Sequence, residues 1–310
     1  MERKIFGVFA AAITPLKADF SPDFDAIPIL LEFLANRGCH GALMLGTTGE
    51  GPSFSVEERI TIYKTVREFK QGHPDFRLLA GTGTPSLTET IYLTRQAFDN
   101  NFDGVVVLPP YYFRKVDDQG LFSWFSEVIR QAVPPVGILL GYHIPPVTGV
   151  GFSLQLLEKL KESFPGQFAG IKDSSANLDY ACMLGKYFGD DLLVMNGNDR
   201  LFIQALDQHA SGCITALANL YSPELRRIWD EYQMKGDPAP TQERVNALRS
   251  ILEANGPFSS IIKSMLFRQH DFPLWTVRPP LLPAGKEVSD IAFHAFSSFE
   301  QNVGRHSKSP

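Results

Sequence analysis

Short apolar runs alternate with amphipathic stretches along most of the chain. Eight of these runs have the length of a β-strand, and they cover residues 8–13, 41–45, 77–80, 104–108, 136–142, 168–172, 192–195 and 212–215. Segments between them, such as DAIPILLEFLANRG and SVEERITIYKTVREF, carry apolar residues at steps of three and four, which is typical of helices that bury one face. The pattern therefore predicts strands and helices in alternation.

The apolar residues in these strands are consecutive rather than alternating with polar ones, which indicates parallel strands covered by other elements on both faces. Eight strand–helix units before about residue 220 predict an α/β fold, a closed (β/α)8 barrel of the TIM type. A doubly wound open sheet is the alternative that the same pattern allows.

The strand pattern stops after residue 220. The segments SPELRRIWDEYQ, TQERVNALRSILEAN and GPFSSIIKSMLFRQH follow as three predicted helices, then a proline-rich RPPLLP and a last helix near 287–301. We therefore expect a barrel over residues 1–220 that carries the active site, and a C-terminal helical extension over residues 221–310. No low-complexity linker separates the two, so we expect the extension to pack on the barrel.

Composition narrows the range of partners. The 310 residues are 44% hydrophobic and 20% charged, the net charge is −5, and lysine and arginine occur in runs no longer than pairs. We therefore expect neither nucleic acid nor a membrane as a partner, and a small molecule as the ligand. The three cysteines have no metal-ligand spacing, which favours reduced thiols in a cytoplasmic protein. The first apolar run lacks a clear cleavage site, so we interpret it as a strand rather than a signal peptide.

Lys172 ends the sixth predicted strand, within FAGIKDSS at residues 168–175. The reacting groups of a barrel enzyme lie at the carboxyl ends of its strands. A lysine amine in a partly apolar pocket can attack a carbonyl carbon and form a Schiff base. A lysine at a strand end can instead extend its ammonium group into solvent, so the neighbouring residues must distinguish these two interpretations.

Other strand ends carry residues that suit the same chemistry. GTTGEG at residues 46–51 follows the second strand, and backbone N–H groups of such a loop can bind a carboxylate. An ordinary turn before the next helix is the alternative, and no GxxxxGK pattern supports an ATP site. LPPYYF at 108–113 and LLGYHIPPVTG at 139–149 add tyrosines at the ends of strands four and five. A lysine, an anion-binding loop and two tyrosines at strand ends exceed what packing alone explains.

These segments resemble the pyruvate-dependent class I aldolase family that includes dihydrodipicolinate synthase, N-acetylneuraminate lyase and 2-keto-3-deoxygluconate aldolase. The resemblance runs over nearly the whole chain, and it is most specific at GTTGE, PYY, the Tyr142 segment and GIKDSS. It implies that Lys172 forms the Schiff base with pyruvate or another 2-oxo acid and that Thr47 and Thr48 bind its carboxylate. Tyr142, hydrogen-bonded to Thr47, would transfer protons, and Tyr112 would complete this relay from a neighbouring subunit.

The resemblance also implies a homo-oligomer, a dimer or a tetramer, with Tyr112 at its interface. Gly197 and Ile214 match the family's pocket-lining positions after strands seven and eight. We expect no metal and no diffusible cofactor, because the protonated imine itself withdraws electrons.

The sequence departs from dihydrodipicolinate synthases after the strand-five tyrosine. Those enzymes usually continue with NVPSRTG, whereas this chain has HIPPVTG, so Val147 occupies the position of the arginine that binds the carboxylate of aspartate semialdehyde. The NP-containing stretch is absent, and GPFSSIIKSMLF and RPPLLP look more like the sugar-acid aldolases. We therefore expect retro-aldol cleavage of a 2-keto-3-deoxy sugar acid to pyruvate and an aldehyde, with Asn198, Asp199 and His143 as contacts for its hydroxyls. His143 can equally be a residue behind the pocket.

Three other hypotheses remain. The chain can be a dihydrodipicolinate synthase with an altered site for its second substrate, or a dehydratase that acts on 2-keto-3-deoxy acids through the same imine. A non-catalytic protein that binds 2-oxo acids is the third, and the complete set of proton-transfer residues argues against it.

Overall fold

The computed structural model describes residues 5–306, in which eight parallel strands form a closed barrel. Each strand pairs with the next along the chain, and β8 closes the barrel by pairing with β1. The predicted (β/α)8 barrel is therefore confirmed, and the open sheet is wrong. Residues 1–4 and 307–310, at the ends of the predicted barrel and extension, lie outside the described residues. The strands are Gly7–Ala11 (β1), Gly41–Met44 (β2), Arg77–Gly81 (β3), Gly104–Val107 (β4), Leu139–His143 (β5), Phe168–Asp173 (β6), Leu193–Asn196 (β7) and Gly212–Thr215 (β8).

Helices surround this barrel and extend the chain beyond it. Within the described part of the chain, none is long and apolar enough to cross a bilayer. They are Ala26–Asn36 (α1), Val56–Gly72 (α2), Leu87–Asp99 (α3), Asp118–Ala132 (α4), Pro145–Thr148 (α5), Leu154–Ser163 (α6), Leu178–Phe188 (α7), Phe202–Asp207 (α8), Ala218–Gln233 (α9), Ala239–Ala254 (α10), Phe258–His270 (α11) and Lys286–His306 (α12).

Every predicted strand overlaps an observed one, and most of the ends that differ do so by one or two residues. The largest difference is at β5, which begins at Leu139 rather than at Val136. Pro134 O accepts a hydrogen bond from Gly137 N, so residues 134–137 form a turn, and Val136 is 81% exposed. Its apolar side chain alone does not distinguish this turn from a strand.

Two apolar layers follow from the alternation of side chains along each strand. One layer packs between the strands and the helices. The other fills the barrel interior and is formed by Ile5, Phe9, Ala11, Leu43, Leu79, Val106, Leu140, Tyr142, Met195 and Ile214. Among the strand residues, only those that point inwards near the carboxyl ends can therefore face a substrate.

Helix α9 follows β8 and packs against β1, so it is the eighth helix of the barrel. Its backbone is non-helical at Tyr221, and this break leaves Pro223 in the first turn of the second helical part, where its missing N–H costs nothing. The boundary that we expect at residue 220 thus falls inside an element of the barrel. Helices α10, α11 and α12 pack on one another, and α10 and α11 also pack on α9.

Candidate active site

Lys172 and Tyr142 are paired neighbours in the register of β6 and β5, and both lie one residue before the end of their strand. Lys172 is 3% exposed, and its Nζ donates a hydrogen bond of 3.0 Å to the Tyr142 hydroxyl. The same Nζ lies 4.2 Å from the centre of the tyrosine ring. The Tyr142 hydroxyl is in turn 3.3 Å from Thr47 Oγ1. The structure thus joins an amine, a phenol and a threonine hydroxyl in one hydrogen-bonded series.

The electrostatic surroundings of Tyr142 favour loss of its proton. Burial alone would raise the pKa of the phenol, since a phenolate is poorly solvated there. The positive charge of Lys172 and hydrogen bonds from Thr47, Lys172 and Ser174 act in the opposite direction and hold the pKa below its usual value of 10.0. A phenol in this setting can give and take a proton more readily than a solvated tyrosine.

The loop after β2 brings Thr47 and Thr48 to the mouth of the barrel. Thr47 is exposed and Thr48 is half-buried, so both are accessible to a ligand. The tight path of the loop requires glycine at residue 51, where a Cβ atom would lie 2.0 Å from the carbonyl oxygen of Leu45. Glu50 of the same loop points away from the mouth and is 2% exposed.

Gly197, Asn198 and Ile214 also lie at the strand ends where a pocket is expected. Ile214 belongs to the interior layer that contains Tyr142. At Gly197 a Cβ atom would lie 1.9 Å from Ser174 Oγ, so the absence of a side chain keeps Ser174 in place. Asn198 Oδ1 accepts a hydrogen bond from Arg200 N, while its amide nitrogen donates to none of the described residues.

Tyr112 does not join the hydrogen-bonded series within this chain. Its side chain is 76% exposed at the barrel rim and forms a T-shaped contact with Phe113, with ring centres 5.4 Å apart. Any role of Tyr112 beside Lys172 therefore requires a second subunit.

The structure places His143 behind the strand, which favours the second of the two interpretations given for it, a residue behind the pocket. It follows Tyr142 directly, so its side chain points to the opposite face of the strand. There its Nδ1 accepts a hydrogen bond from Phe152 N, and its ring stacks on Tyr180 with centres 4.3 Å apart. Burial lowers the pKa of this imidazole to about 4. His143 is thus a neutral packing residue behind the pocket.

Asp199 also lies away from the open mouth of the barrel, and this placement does not support the expected contact with a sugar hydroxyl. The side chain is fully buried and pairs with Arg249 of α10. Gln242 of the same helix donates a hydrogen bond of 2.8 Å to the Asp199 carbonyl. These contacts join the end of β7 to the extension.

The structure adds residues that the sequence reasoning did not assign to the site. Ser174 contributes to the low pKa of Tyr142, and its place in GIKDSS two residues after Lys172 is a signal that was available. Glu50 contacts the extension, and Ser259 contacts the loop after β2. Ser259 is 211 residues from its partner, and no local pattern indicates that pairing.

The chain is similar to known proteins over most of its length. A model of the dihydrodipicolinate synthetase family matches residues 4–295. A relative from Chloroflexus aurantiacus, named an uncharacterized DapA-like lyase, is 38% identical over 283 residues, which are 91% of this chain and 92% of the relative. A 4-hydroxy-tetrahydrodipicolinate synthase from Thermus thermophilus is 32% identical over 297 residues, with 91% and 94% of the two chains covered.

Solved structures share the fold. YagE of E. coli K12, described as a member of the dihydrodipicolinic acid synthase family in complex with pyruvate, superposes with a TM-score of 0.88. The alignment covers 96% of this chain and 99% of YagE, at 23% identity. From the sequence matches, the chain belongs to the dihydrodipicolinate synthetase family and is an enzyme, a lyase.

Proposed function

We propose that the protein is a Schiff-base-forming lyase in which Lys172 is the nucleophile and pyruvate is the 2-oxo acid. The hydrogen-bonded series of Lys172, Tyr142 and Thr47 is the observation that supports this proposal most directly. Imine chemistry needs a nucleophile and a group that moves its protons, and both are buried side by side at the strand ends.

The proposed cycle begins when the Lys172 amine attacks C2 of the 2-oxo acid. Tyr142 delivers the proton with which the carbinolamine oxygen leaves as water, and a protonated imine remains. This cation accepts the electron pair of the C3–C4 bond as that bond breaks, while the C4 hydroxyl gives its proton to the Tyr142 oxygen and an aldehyde departs. Protonation of the enamine at C3 and hydrolysis of the imine release pyruvate and restore the amine. The imine is the electron acceptor, so no cofactor enters these steps.

Thr47 and Thr48 are proposed to bind the carboxylate of the 2-oxo acid. Their hydroxyls and the backbone N–H groups of the glycine-containing loop are donors suited to an anion. The Thr47 hydroxyl is already 3.3 Å from the Tyr142 oxygen. Binding there would place the C2 carbonyl beside the Lys172 amine.

For the second half of the substrate we propose a 2-keto-3-deoxy sugar acid, cleaved to pyruvate and an aldehyde. Val147 lies on the short helix α5 and is 56% exposed, and its neutral side chain cannot form a bidentate pair with a carboxylate. Asn198, whose amide nitrogen donates to no other described residue, offers a donor for a sugar hydroxyl.

Dihydrodipicolinate synthesis from pyruvate and aspartate semialdehyde is the second candidate. Its support is the name of the Thermus thermophilus relative and the position of Arg114. The Arg114 side chain packs over Gly149, where an added Cβ would lie 2.9 Å from Arg114 Cδ. This guanidinium lies against the loop that follows Val147 and can offer a second carboxylate the charge that Val147 lacks. Dehydration of the sugar acid through the same imine remains the third reaction to separate.

We further propose a homo-oligomer, a dimer or a tetramer, in which Tyr112 completes the proton relay of a neighbouring subunit. Tyr112 and Phe113 leave a large aromatic surface exposed on the rim, with 76% and 65% of their side chains accessible. Contact with a second subunit would bury this surface and bring the phenol to the Tyr142 side of the partner's barrel.

The test is intact-protein mass spectrometry after incubation with pyruvate and borohydride, which reduces an imine to a stable adduct. The wild type and Lys186→Ala, which removes an exposed lysine, are expected to carry one adduct. Lys172→Ala is expected to carry none and to lose turnover by about a thousandfold or more. An adduct on Lys172→Ala, or full turnover by that variant, would contradict the mechanism.

Product analysis separates the three reactions. Release of pyruvate from a panel of 2-keto-3-deoxy acids supports the aldolase. Consumption of pyruvate only with aspartate semialdehyde supports the synthase, and a 2-oxo semialdehyde formed without pyruvate supports the dehydratase.

A further inference from the structure

The loop that carries Thr47 and Thr48 is fastened from behind by the C-terminal extension. Lys263 of α11 donates hydrogen bonds of 2.5 Å to Glu50 Oε1 and 2.6 Å to the carbonyl oxygen of Thr276. The other carboxylate oxygen of Glu50 accepts a hydrogen bond of 2.9 Å from Arg278 N. Both oxygens of Glu50 therefore have partners in the extension.

A second contact reaches the loop from the same helix. Ser259 Oγ, near the start of α11, donates a hydrogen bond of 2.9 Å to the carbonyl oxygen of Thr48. Helix α11 thus contacts two groups of the GTTGE segment, the carbonyl of Thr48 and the carboxylate of Glu50.

The Glu50–Lys263 pair is costly to bury. Lys263 is fully buried and Glu50 is 2% exposed. Burial lowers the pKa of Lys263 to about 8, although the Glu50 carboxylate acts in the opposite direction. Apolar side chains of similar volume can often replace a buried ion pair with no loss of stability. A contribution to stability is therefore a weak explanation for the presence of the Glu50–Lys263 pair.

The backbone of Glu50 gives an independent reason for the contact. Its φ is 56°, a left-handed conformation that is unfavourable for a residue with a side chain. Such a conformation persists only where the surroundings hold it. Backbone hydrogen bonds from Glu50 N to Thr47 O and from Ser53 N to Glu50 O hold part of this turn. The contacts of the Glu50 carboxylate with Lys263 and Arg278 add to them from the side of the extension.

We propose that Glu50, Lys263 and Ser259, together termed the loop anchor, are positioning residues that hold Thr47 and Thr48 in the geometry that binds the substrate carboxylate. None of the three would contact the substrate. The claim that the loop binds a substrate carboxylate rests on the proposed function. The claim that the loop anchor holds the loop in place does not.

Two adjacent serines of α11 provide a matched test. Ser259 Oγ donates to Thr48 O in the loop, and Ser260 Oγ donates to Leu282 O within the extension. Both are buried, and each alanine variant loses one hydrogen bond to a carbonyl. Ser259→Ala is expected to speed amide hydrogen exchange of residues 46–51 and to raise the pyruvate concentration for half-maximal adduct formation by about fivefold. The kcat for the reverse reaction, addition of saturating pyruvate to an aldehyde, should stay unchanged, and Ser260→Ala should alter none of these quantities.

Variants of Glu50 distinguish the effect of its carboxylate from the effect of its left-handed backbone conformation. Glu50→Gly relieves the left-handed strain but removes the contact with Lys263, so it is expected to loosen the loop as Ser259→Ala does. Glu50→Gly and Lys263→Met each leave one member of the buried pair without its partner and can fail to fold; Glu50→Gln combined with Lys263→Met removes both charges and keeps the test available. This double variant should fold and show the same rise in half-saturating pyruvate.

Equal exchange of residues 46–51 in the wild type, Ser259→Ala and Glu50→Gly would overturn the proposal. So would a loss of kcat with no change in half-saturating pyruvate. If the wild type forms no adduct with any 2-oxo acid, the proposed function fails, while the exchange data still decide whether the anchor holds the loop.

Discussion

At the residue scale, the face of each strand residue decides its role. Lys172 and Tyr142 point into the barrel, whereas Asp173 and His143, which follow them, point outwards, where burial raises the pKa of Asp173 and lowers that of His143. The sequence predicted the strands, and the alternation of side chains along strand five is enough to place His143 on the face opposite Tyr142. Asp199 could not be placed in this way, because it lies beyond β7 and its partner, Arg249, is 50 residues away.

The phenolic oxygen of Tyr142 is expected to be essential for proton transfer. Tyr142→Phe keeps the ring in the interior layer but removes the hydroxyl that contacts Lys172 and Thr47. We expect kcat to fall by about a hundredfold to ten-thousandfold, while the protein remains folded. Steady-state kinetics and circular dichroism check this.

Tyr180→Phe is the control for that prediction. The Tyr180 hydroxyl donates a hydrogen bond to the Phe152 carbonyl in the outer layer, whereas Tyr142 belongs to the interior layer. Loss of the Tyr180 hydroxyl should lower the free energy of unfolding without a comparable loss of kcat. Equal kinetic effects of the two substitutions would remove the reason for assigning proton transfer to Tyr142.

At the element scale, the strand–helix repeat explains why most of the fold could be predicted. Helix α2 begins at a signal that is visible in the sequence: Ser55 accepts from Glu58 N, and the Glu58 carboxylate accepts from Ser55 N. Short elements were not predictable in this way. Helix α5 has only four residues and begins with two prolines, so it is too short to show the spacing of apolar residues that predicts a helix.

The capping box of α2 makes a testable contribution to stability. Ser55→Ala is expected to lower the free energy of unfolding by about 1 kcal/mol, since the Glu58 N–H loses the Ser55 hydroxyl that accepts its hydrogen bond. Ser55→Gly should cost only a few tenths of a kcal/mol. Urea denaturation of the two variants measures this difference, and an equal cost would contradict the capping explanation.

At the scale of the whole molecule, three histidines make stability depend on pH. Burial lowers the pKa of His40, His143 and His270 to about 4, from 6.5. Between these values the unfolded chain binds more protons than the folded protein, so stability is retained above pH 6.5 and lost as the pH falls towards 4. This acid sensitivity has sources in three separate regions of the chain.

The contribution of His143 to this pH dependence of stability can be measured. His143→Asn removes the titrating ring and keeps a side-chain acceptor for Phe152 N. The variant is expected to lose less stability than the wild type between pH 6.5 and 4, by up to about 3 kcal/mol. Thermal unfolding at several pH values checks the difference, and parallel curves for both proteins would show that His143 is not a source of the acid sensitivity.

Long-range pairing is the part of the molecule that sequence reasoning missed, and it has a consequence for synthesis. Glu50 and Lys263 are 213 residues apart, and β8 lies between them. A ribosome therefore makes every strand of the barrel, including Lys172, before it makes the residue that neutralises Glu50. If the loop anchor acts as proposed, a nascent chain that has reached β8 already has its nucleophile but no rigid place for a carboxylate. The ability to consume a 2-oxo acid would then be acquired only when the last helices are translated.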